Sequence, residues 1–413
     1  MRKIVGLCLL LMLLVACGQN DGESDVTDVS DVEDATVVLT APTDSPEPTV
    51  IVEITEPPPP PTVVIAEPAT PTPIPTAEPT ATPEATATPE PIVLLTGEDF
   101  AATGRNPFTG ELLDPMLADQ RPIACKISNS PAQWVRPQSG LNSADIIFEH
   151  LAEGIHTRFT ALFYGQVPEK VGPVRSARLI DVEIPAMYDA ALCFSGSSIG
   201  VSRKLNGSDL RPSLIRSYYE GYFRSGEEKP WEHTLYGEVE GFREELTKLE
   251  QNRAPELNTF MAFSNEPPVG GETATYIGIA YDTGTFVEWR WDDEQQRYLR
   301  WADGEPFLDA NDGEQVGAAN VVTVFASHTQ DVDICELQVE DQCFSTSTEI
   351  QIWAQGFAAV YRDGQRFIGE WRRADRHDML TFYDTEGNPL PLDIGQTWMQ
   401  VLPYYYDDPV VYE

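Results

Sequence analysis

Between Gly18 and Thr96 the chain carries 15 acidic residues and no lysine or arginine, and its second half is broken by proline runs such as Glu56-Pro57-Pro58-Pro59-Pro60-Pro61, Thr70-Pro71-Thr72-Pro73 and Thr80-Ala81-Thr82-Pro83. Such a stretch buries too little apolar surface to offset the entropy lost on ordering. Proline keeps it extended, near polyproline II, so at ~3.1 Å per residue its eighty residues reach roughly 200 Å. Whatever folds must therefore come from the remaining ~315 residues, enough for one large domain or two ordinary ones.

What precedes this stretch gives it a purpose. Met1-Arg2-Lys3 is a positive start, Ile4–Val15 is an apolar run, and Leu14-Val15-Ala16-Cys17-Gly18 closes it. Twelve apolar residues fall short of the ~20 a bilayer span needs. Small residues before a cysteine suit a signal peptidase, and the thiol accepts a diacylglyceryl group, so Cys17 is the expected lipidation site. Two or three acyl chains anchor stably where one is marginal. The expectation is a signal peptide over 1–17, a disordered acidic and Pro/Thr-rich linker over 18–97, and folded domains over 98–264 and 265–413. The chain would then sit on the cell membrane by its lipid, facing outside the cytoplasm. The linker reads as a wall-spanning spacer, with a proline-motif ligand as the rival.

Charge narrows the partners. With 27 basic and 66 acidic residues the formal charge is −39, and removing the signal and linker leaves −26 on the folded part. A body that acidic repels nucleic acid, so no nucleic-acid role is expected. Acidity that merely keeps an exposed protein soluble explains the same number. Five scattered histidines, without His-x-x-x-His or Cys-x-x-Cys, predict neither a metal centre nor a cofactor. Cys335 and Cys343 flank polar residues and are expected to staple a loop between strands, as suits an oxidising compartment. Cys125 and Cys193 sit in short apolar runs, where a buried thiol and a bridge are equally in keeping.

The folded part divides in character. Segments 121–128, 145–149, 157–164 and 190–194 read as strands; Arg175–Met187 reads as a helix with Ala177, Ile180, Ile184 and Met187 inward; Glu238–Leu249 carries Val239, Phe242, Leu246 and Leu249 on one stripe. Past about Asn265, short aromatic, alternating segments separated by turns such as Asp363-Gly364 predict an antiparallel β domain. The expected class is α+β: a mixed α/β N-terminal domain followed by an antiparallel β-rich C-terminal one. Six strand tryptophans (Trp289, Trp291, Trp301, Trp353, Trp371, Trp398) are expected to pack the core, with sugar stacking as the alternative.

Six motifs, in order, carry a resemblance: Asn106-Pro107-Phe108-Thr109-Gly110; Arg136-Pro137-Gln138-Ser139-Gly140-Leu141; Ala144-Asp145 through Glu149; Glu153-Gly154 with Thr157-Arg158; Gly172-Pro173-Val174-Arg175-Ser176-Ala177-Arg178; and Gly395-Gln396-Thr397-Trp398. Together they resemble the YerB-like family of bacterial lipoproteins, over about residues 103–405. The resemblance implies an exported, lipid-anchored protein with an N-terminal and a C-terminal domain of unknown function. It brings no reaction. Where a histidine and paired glycines would follow a core strand, this chain has Phe194-Ser195-Gly196-Ser197, while His233 in Pro230-Trp231-Glu232-His233-Thr234-Leu235-Tyr236 takes the matching place of a family histidine.

The most pointed chemistry is Arg175 and Arg178. A spacing of three puts both guanidinium groups on one face of the expected helix, in its first turn, where unpaired N–H groups add positive character. With Arg158 from a neighbouring strand they would hold a carboxylate or phosphate; otherwise they pair with Glu149, Glu153 or Asp181 and knit the domain. Glu149 and Glu153 are the weaker candidates for paired acid–base carboxylates on a glycan, and His233 for a general base. The leading expectation is a binding or scaffolding lipoprotein for an anionic ligand, a cell-wall component or an envelope partner. Its alternatives are an envelope hydrolase acting on wall glycan or peptide, and a plain structural spacer.

Overall fold

The computed structural model describes residues 93–95, 97–153, 156–281, 285–406 and 409–413. Cys8, Cys17, the signal peptide and nearly all of the 18–97 linker lie outside the described residues. At the linker's expected end, the Leu95 N–H donates to the Phe263 carbonyl at 2.9 Å, and a helix starts at Gly97.

Alternation organises the centre. On Ile123–Ser128, Ala124 faces one core while Ile123, Cys125 and Ile127 face another; on Ile146–Leu151, Ile146 and Phe148 oppose Ile147; on Thr397–Pro403, Met399 and Val401 oppose Trp398 and Leu402. Successive side chains of a strand point to opposite faces, so these segments must be covered on both sides. They lie in a twelve-stranded sheet. Its main run passes from Thr381–Asp384 through Gln365–Arg373, Ala354–Arg362 and Asn320–Val339 to Thr397–Pro403. It continues through Ile146–Leu151, Thr157–Phe163, Ile123–Ser128 and Ala191–Phe194 to Leu214–Arg216. On one face lies a second, six-stranded sheet built around Tyr276–Tyr281, Thr285–Asp292 and Arg297–Ala302, whose Ile277, Ile279, Val287 and Trp289 join Ile147, Phe159 and Trp398. The other face is covered by short helical pieces carrying Ile180, Ile184, Met187, Val201 and Leu205.

The chain is strand-rich with few helices, and its two halves share the large sheet. Thr397–Pro403 pairs in parallel with Asn320–Val339 on one side and with Ile146–Leu151 on the other. The expected antiparallel β-rich second half thus contains a parallel pairing, Asn320–Val339 with Thr397–Pro403. A local window shows a strand's alternation but not the direction of its partner.

The expected helix at Arg175–Met187 is also corrected. Val174 pairs with Ile127, the Arg175 N–H donates to the Lys126 carbonyl and the Ala177 N–H to the Gly196 carbonyl, so this stretch runs extended. Only Leu179–Val182 forms a 3-10 turn, followed by a single helical turn at Ile184–Met187. Neighbouring carbonyls have captured the N–H groups a helix would need, and the prolines at 173 and 185 discourage one longer still. Ala177, Ile180, Ile184 and Met187 are buried nonetheless. The helix at Val239–Lys248 buries Val239, Phe242 and Leu246 as its stripe predicts, whereas Leu249 caps its end, part exposed. A helix at Ile199–Gly207 was not anticipated; Ser198 caps it, its hydroxyl accepting the Val201 N–H at 3.3 Å.

Candidate functional site

Several of the six motifs are joints. The Asn106 amide donates to Asp145, whose carboxylate also accepts the Tyr164 and Gly165 N–H groups. The Gln396 amide nitrogen donates to the carbonyls of Leu141 and Ala144, and the Gly395 N–H to the Thr109 carbonyl. Asp309 accepts the N–H groups of Gly140 and Asn142. Burial pushes the Asp145 carboxyl up to about 6, against the pull of those three donors. These residues tie early and late segments of the chain together, which accounts for their arrangement without any reaction.

Glu149 belongs to the same category. It is fully buried, accepts the Thr157 hydroxyl at 2.9 Å and the Asn129 amide at 3.3 Å, and makes an ion contact of 2.9 Å with Arg300, itself fully buried. Aromatic rings wall the Arg300 guanidinium: Trp398 at 4.4 Å, Phe307 at 4.8 Å, Trp289 at 5.2 Å and Phe159 at 5.6 Å from its carbon to the ring centres. This interior position takes Glu149 out of reach of a substrate. Glu153 stands elsewhere, ion-paired to Arg178 at 2.5 Å. Each of the two thus has an arginine partner of its own.

On the opposite side of the same strand, His150 enters a second buried network. Lys126 Nζ donates to His150 Nε2 at 2.6 Å, to Thr160 Oγ1 at 3.0 Å and to Asp181 at 2.9 Å, while the Thr160 hydroxyl donates to Asp181 at 2.7 Å. His150 Nδ1 lies 2.9 Å from the Leu151 carbonyl, which assigns its proton there and leaves Nε2 to accept. Burial lowers Lys126 to about 8 despite the pull of Asp181, and burial together with Lys126 holds His150 well below its ordinary range. Burial alone would raise Asp181, but Lys126 and the Arg178 N–H outweigh it and keep the carboxylate ionised. The sequence showed no sign of Lys126 or His150, because each lies within a largely apolar strand.

This network supports the arginines. Asp181 accepts the Arg178 N–H at 2.6 Å, fixing the backbone where the guanidinium departs. Arg158, Arg175 and Arg178 come together, though not on a helix face: burial first, then the nearby charge of Arg178, lowers Arg158 to about 9, with Arg175 adding to the effect. Each has a partner of its own. Arg158 donates to the Ser176 carbonyl at 2.9 Å, Arg178 grips Glu153, and Arg175 reaches the Glu232 carbonyl through a long 3.4 Å bond. His233, 3% exposed, lies close enough that Arg175, after burial, lowers its basicity; its Nδ1 has no hydrogen-bond partner within the described residues.

A carboxylate from the far half of the chain completes the cluster. Asn320–Val339 and Gln342–Gln351 form a long hairpin whose outer part shifts register between Asp331 and Gln338. Cys335 and Cys343 are disulfide-bonded there, with Cα atoms 5.7 Å apart. Next to the bridge, Glu336 accepts the Ser198 hydroxyl at 2.9 Å and lies 3.6 Å from Arg178. Ile334 seats this arm on the helix at Gly200, where an added methyl would come within 2.6 Å of it. Cys125 and Cys193 are free, buried thiols facing each other on adjacent parallel strands. No group of three or more potential metal-ligating side chains occurs among the described residues. Trp289, Trp371 and Trp398 are buried, whereas Trp353 is exposed.

Residues 108–252 match the N-terminal domain, and residues 277–399 the C-terminal domain, of DUF3048, a protein family of unknown function. YerB of Bacillus subtilis (strain 168), a lipoprotein by assigned name only, is 28% identical over 316 residues, spanning 74% of this chain and 88% of the relative. The crystal structure of the YerB protein from Bacillus subtilis is similar with a TM-score of 0.64 and 26% identity, over 75% of this chain and 99% of that one.

Proposed function

Because this chain belongs to the YerB-like family, whose two domains have no assigned activity, we propose that it is a lipid-anchored extracytoplasmic binding or scaffolding module. In this reading acyl groups on Cys17 hold it to the membrane, the proline-rich segment carries it outward, and the cluster of Arg158, Arg175 and Arg178 receives an anionic group of an envelope ligand. The lipobox sequence and the relative's name agree with that address.

One observation carries the ligand reading. Arg178 already holds two carboxylates brought from distant segments, Glu153 and Glu336, beside two further arginines. Arg178 donates to those two carboxylates and is spent on them, so a guest's anionic group would be met by the arginine beside it. Arg175, half buried and held by a long bond, is the arginine with most freedom to meet it. A hydrolytic reading has less to draw on, since Glu149 is enclosed and Glu153 is committed to Arg178.

Calorimetric titration of the purified chain with citrate and with inorganic phosphate tests this. Binding should vanish in Arg175→Ala while the thermal midpoint stays near that of the unsubstituted protein. An Arg175→Ala chain that unfolds would make the arginines structural, and an unsubstituted chain that binds neither anion would refute the reading.

A further inference from the structure

A cavity of about 550 Å³ lies where the helix Gly97–Thr103 meets the loop after it and the irregular stretch that follows the helix at Val239–Lys248. Phe100, Leu113, Pro115, Pro255, Leu257 and Phe260 line it, and the rings of Phe100 and Phe260 stack with centres 5.8 Å apart. Leu113, Leu257 and Phe260 pack on the core with only part of their surface covered, so this wall is open to a guest. Proline has no N–H, and Pro107, Pro115 and Pro255 therefore leave the wall few backbone donors for water. The same loop holds Leu112 and Met116 76% and 78% exposed. Apolar surface gathered in a hollow, rather than scattered singly, marks a ligand site.

A single charge stands in this wall. Arg105 alone among the lining residues is charged, and it is half-buried. Its Nη1 donates to the Gly110 carbonyl at 2.6 Å, which holds the guanidinium in place and uses one of its five N–H donors. The partner that matches a fixed guanidinium beside apolar surface is a carboxylate joined to an apolar body. One cation suits a monoanion. A phosphate dianion entering the same wall would keep an unpaired charge, which is costly.

We infer that this cavity binds a single-chain aliphatic carboxylate, a fatty acid, with its chain against Phe100, Leu257 and Phe260 and its carboxylate on Arg105. The volume falls within the usual range of small-molecule pockets. A sugar or a peptide would bury hydroxyl or amide groups against prolines and phenyl rings that cannot pair with them. A plain hydrocarbon would leave Arg105 without an anionic partner in the cavity. None of Arg158, Arg175 and Arg178 lines this site, so it stands or falls apart from the reading proposed above.

Calorimetric titration of the purified chain with octanoate, decanoate and decanol tests it. Each buried methylene should tighten binding about fourfold, so decanoate should bind about fifteenfold better than octanoate. The heat-capacity change of binding should be negative, as burial of apolar surface requires. Arg105→Gln should weaken decanoate about tenfold, the loss of a charge-assisted bond, and leave decanol unchanged. Ala254 lines the cavity and is exposed, so Ala254→Glu should weaken decanoate without disturbing the core, which guards against a fold defect at Arg105. Arg175→Ala should bind decanoate as the unsubstituted chain does. Binding of neither carboxylate, equal affinity for octanoate and decanoate, undiminished binding in both cavity variants, or tighter binding of soluble dihexanoyl phosphatidylglycerol would each overturn the inference.

Discussion

Replacing Arg300 by methionine is the sharpest test of how the two halves of the chain are joined. Methionine keeps an apolar stem among Trp398, Phe307, Trp289 and Phe159 but leaves the Glu149 carboxylate, fully buried, with only the Thr157 hydroxyl and the Asn129 amide among its contacts described above. Breaking one side of an enclosed ion pair strands the other charge, at a cost of about 3–5 kcal/mol. Removing both charges is different: the desolvation penalty disappears with the attraction, and apolar pairs of similar volume are often neutral or better. Arg300→Met should therefore lose about 3–5 kcal/mol, Glu149→Leu a similar amount, and the double variant no more than about 2 kcal/mol. Urea unfolding followed by tryptophan emission reads this well, because Trp289 and Trp398 border the pair. If Arg300→Met cost less than about 1 kcal/mol, or if the two single losses simply added, the enclosed pair would not be the joint described here.

Three further outcomes are expected. Asp209 accepts Arg376 at 2.7 Å and His377 at 2.7 Å, and the bond to Arg376 leads in drawing its carboxyl down to about 2. Its stabilising effect is then present above pH ~4, its unfolded value, and is lost as the pH falls towards about 2. The gap in thermal midpoint between wild type and Asp209→Asn should narrow over that window, and a gap constant from pH 7 to 2 would contradict it. Cys125 and Cys193, both buried, should resist iodoacetamide in the folded chain and react after denaturation, as peptide mapping will show; rapid native labelling of either would mean the strands open. The Cys335–Cys343 bridge closes a short loop worth roughly 2–3 kcal/mol of chain entropy. In Cys335→Ser/Cys343→Ser, cleavage between Asp331 and Phe344 should accelerate in limited proteolysis while the central sheet keeps its protection; unaltered cleavage would place the hairpin's stability elsewhere.

Local patterning made much of the molecule legible. Alternation located the strands around Cys125, Ile147, Phe159 and Trp398, and a 3.6-residue stripe located the helix that buries Val239, Phe242 and Leu246. The expected lipid site at Cys17 and nearly all of the proline-rich stretch after it lie outside the described residues. The helix meant to align Arg175 and Arg178 is not there: that stretch runs extended.

What the tertiary structure alone decided are the pairings between segments far apart. Nothing near Glu149 announces Arg300, nothing near Arg178 announces Glu336, and nothing near Gln396 announces the carbonyls of Leu141 and Ala144. Side-chain periodicity is written in the strand itself, because a pleated backbone must send successive residues to opposite faces. Which charge neutralises a buried glutamate, or whether an arginine stretch runs extended instead of helical, depends on carbonyls and guanidinium groups that only the folded chain brings within bonding distance.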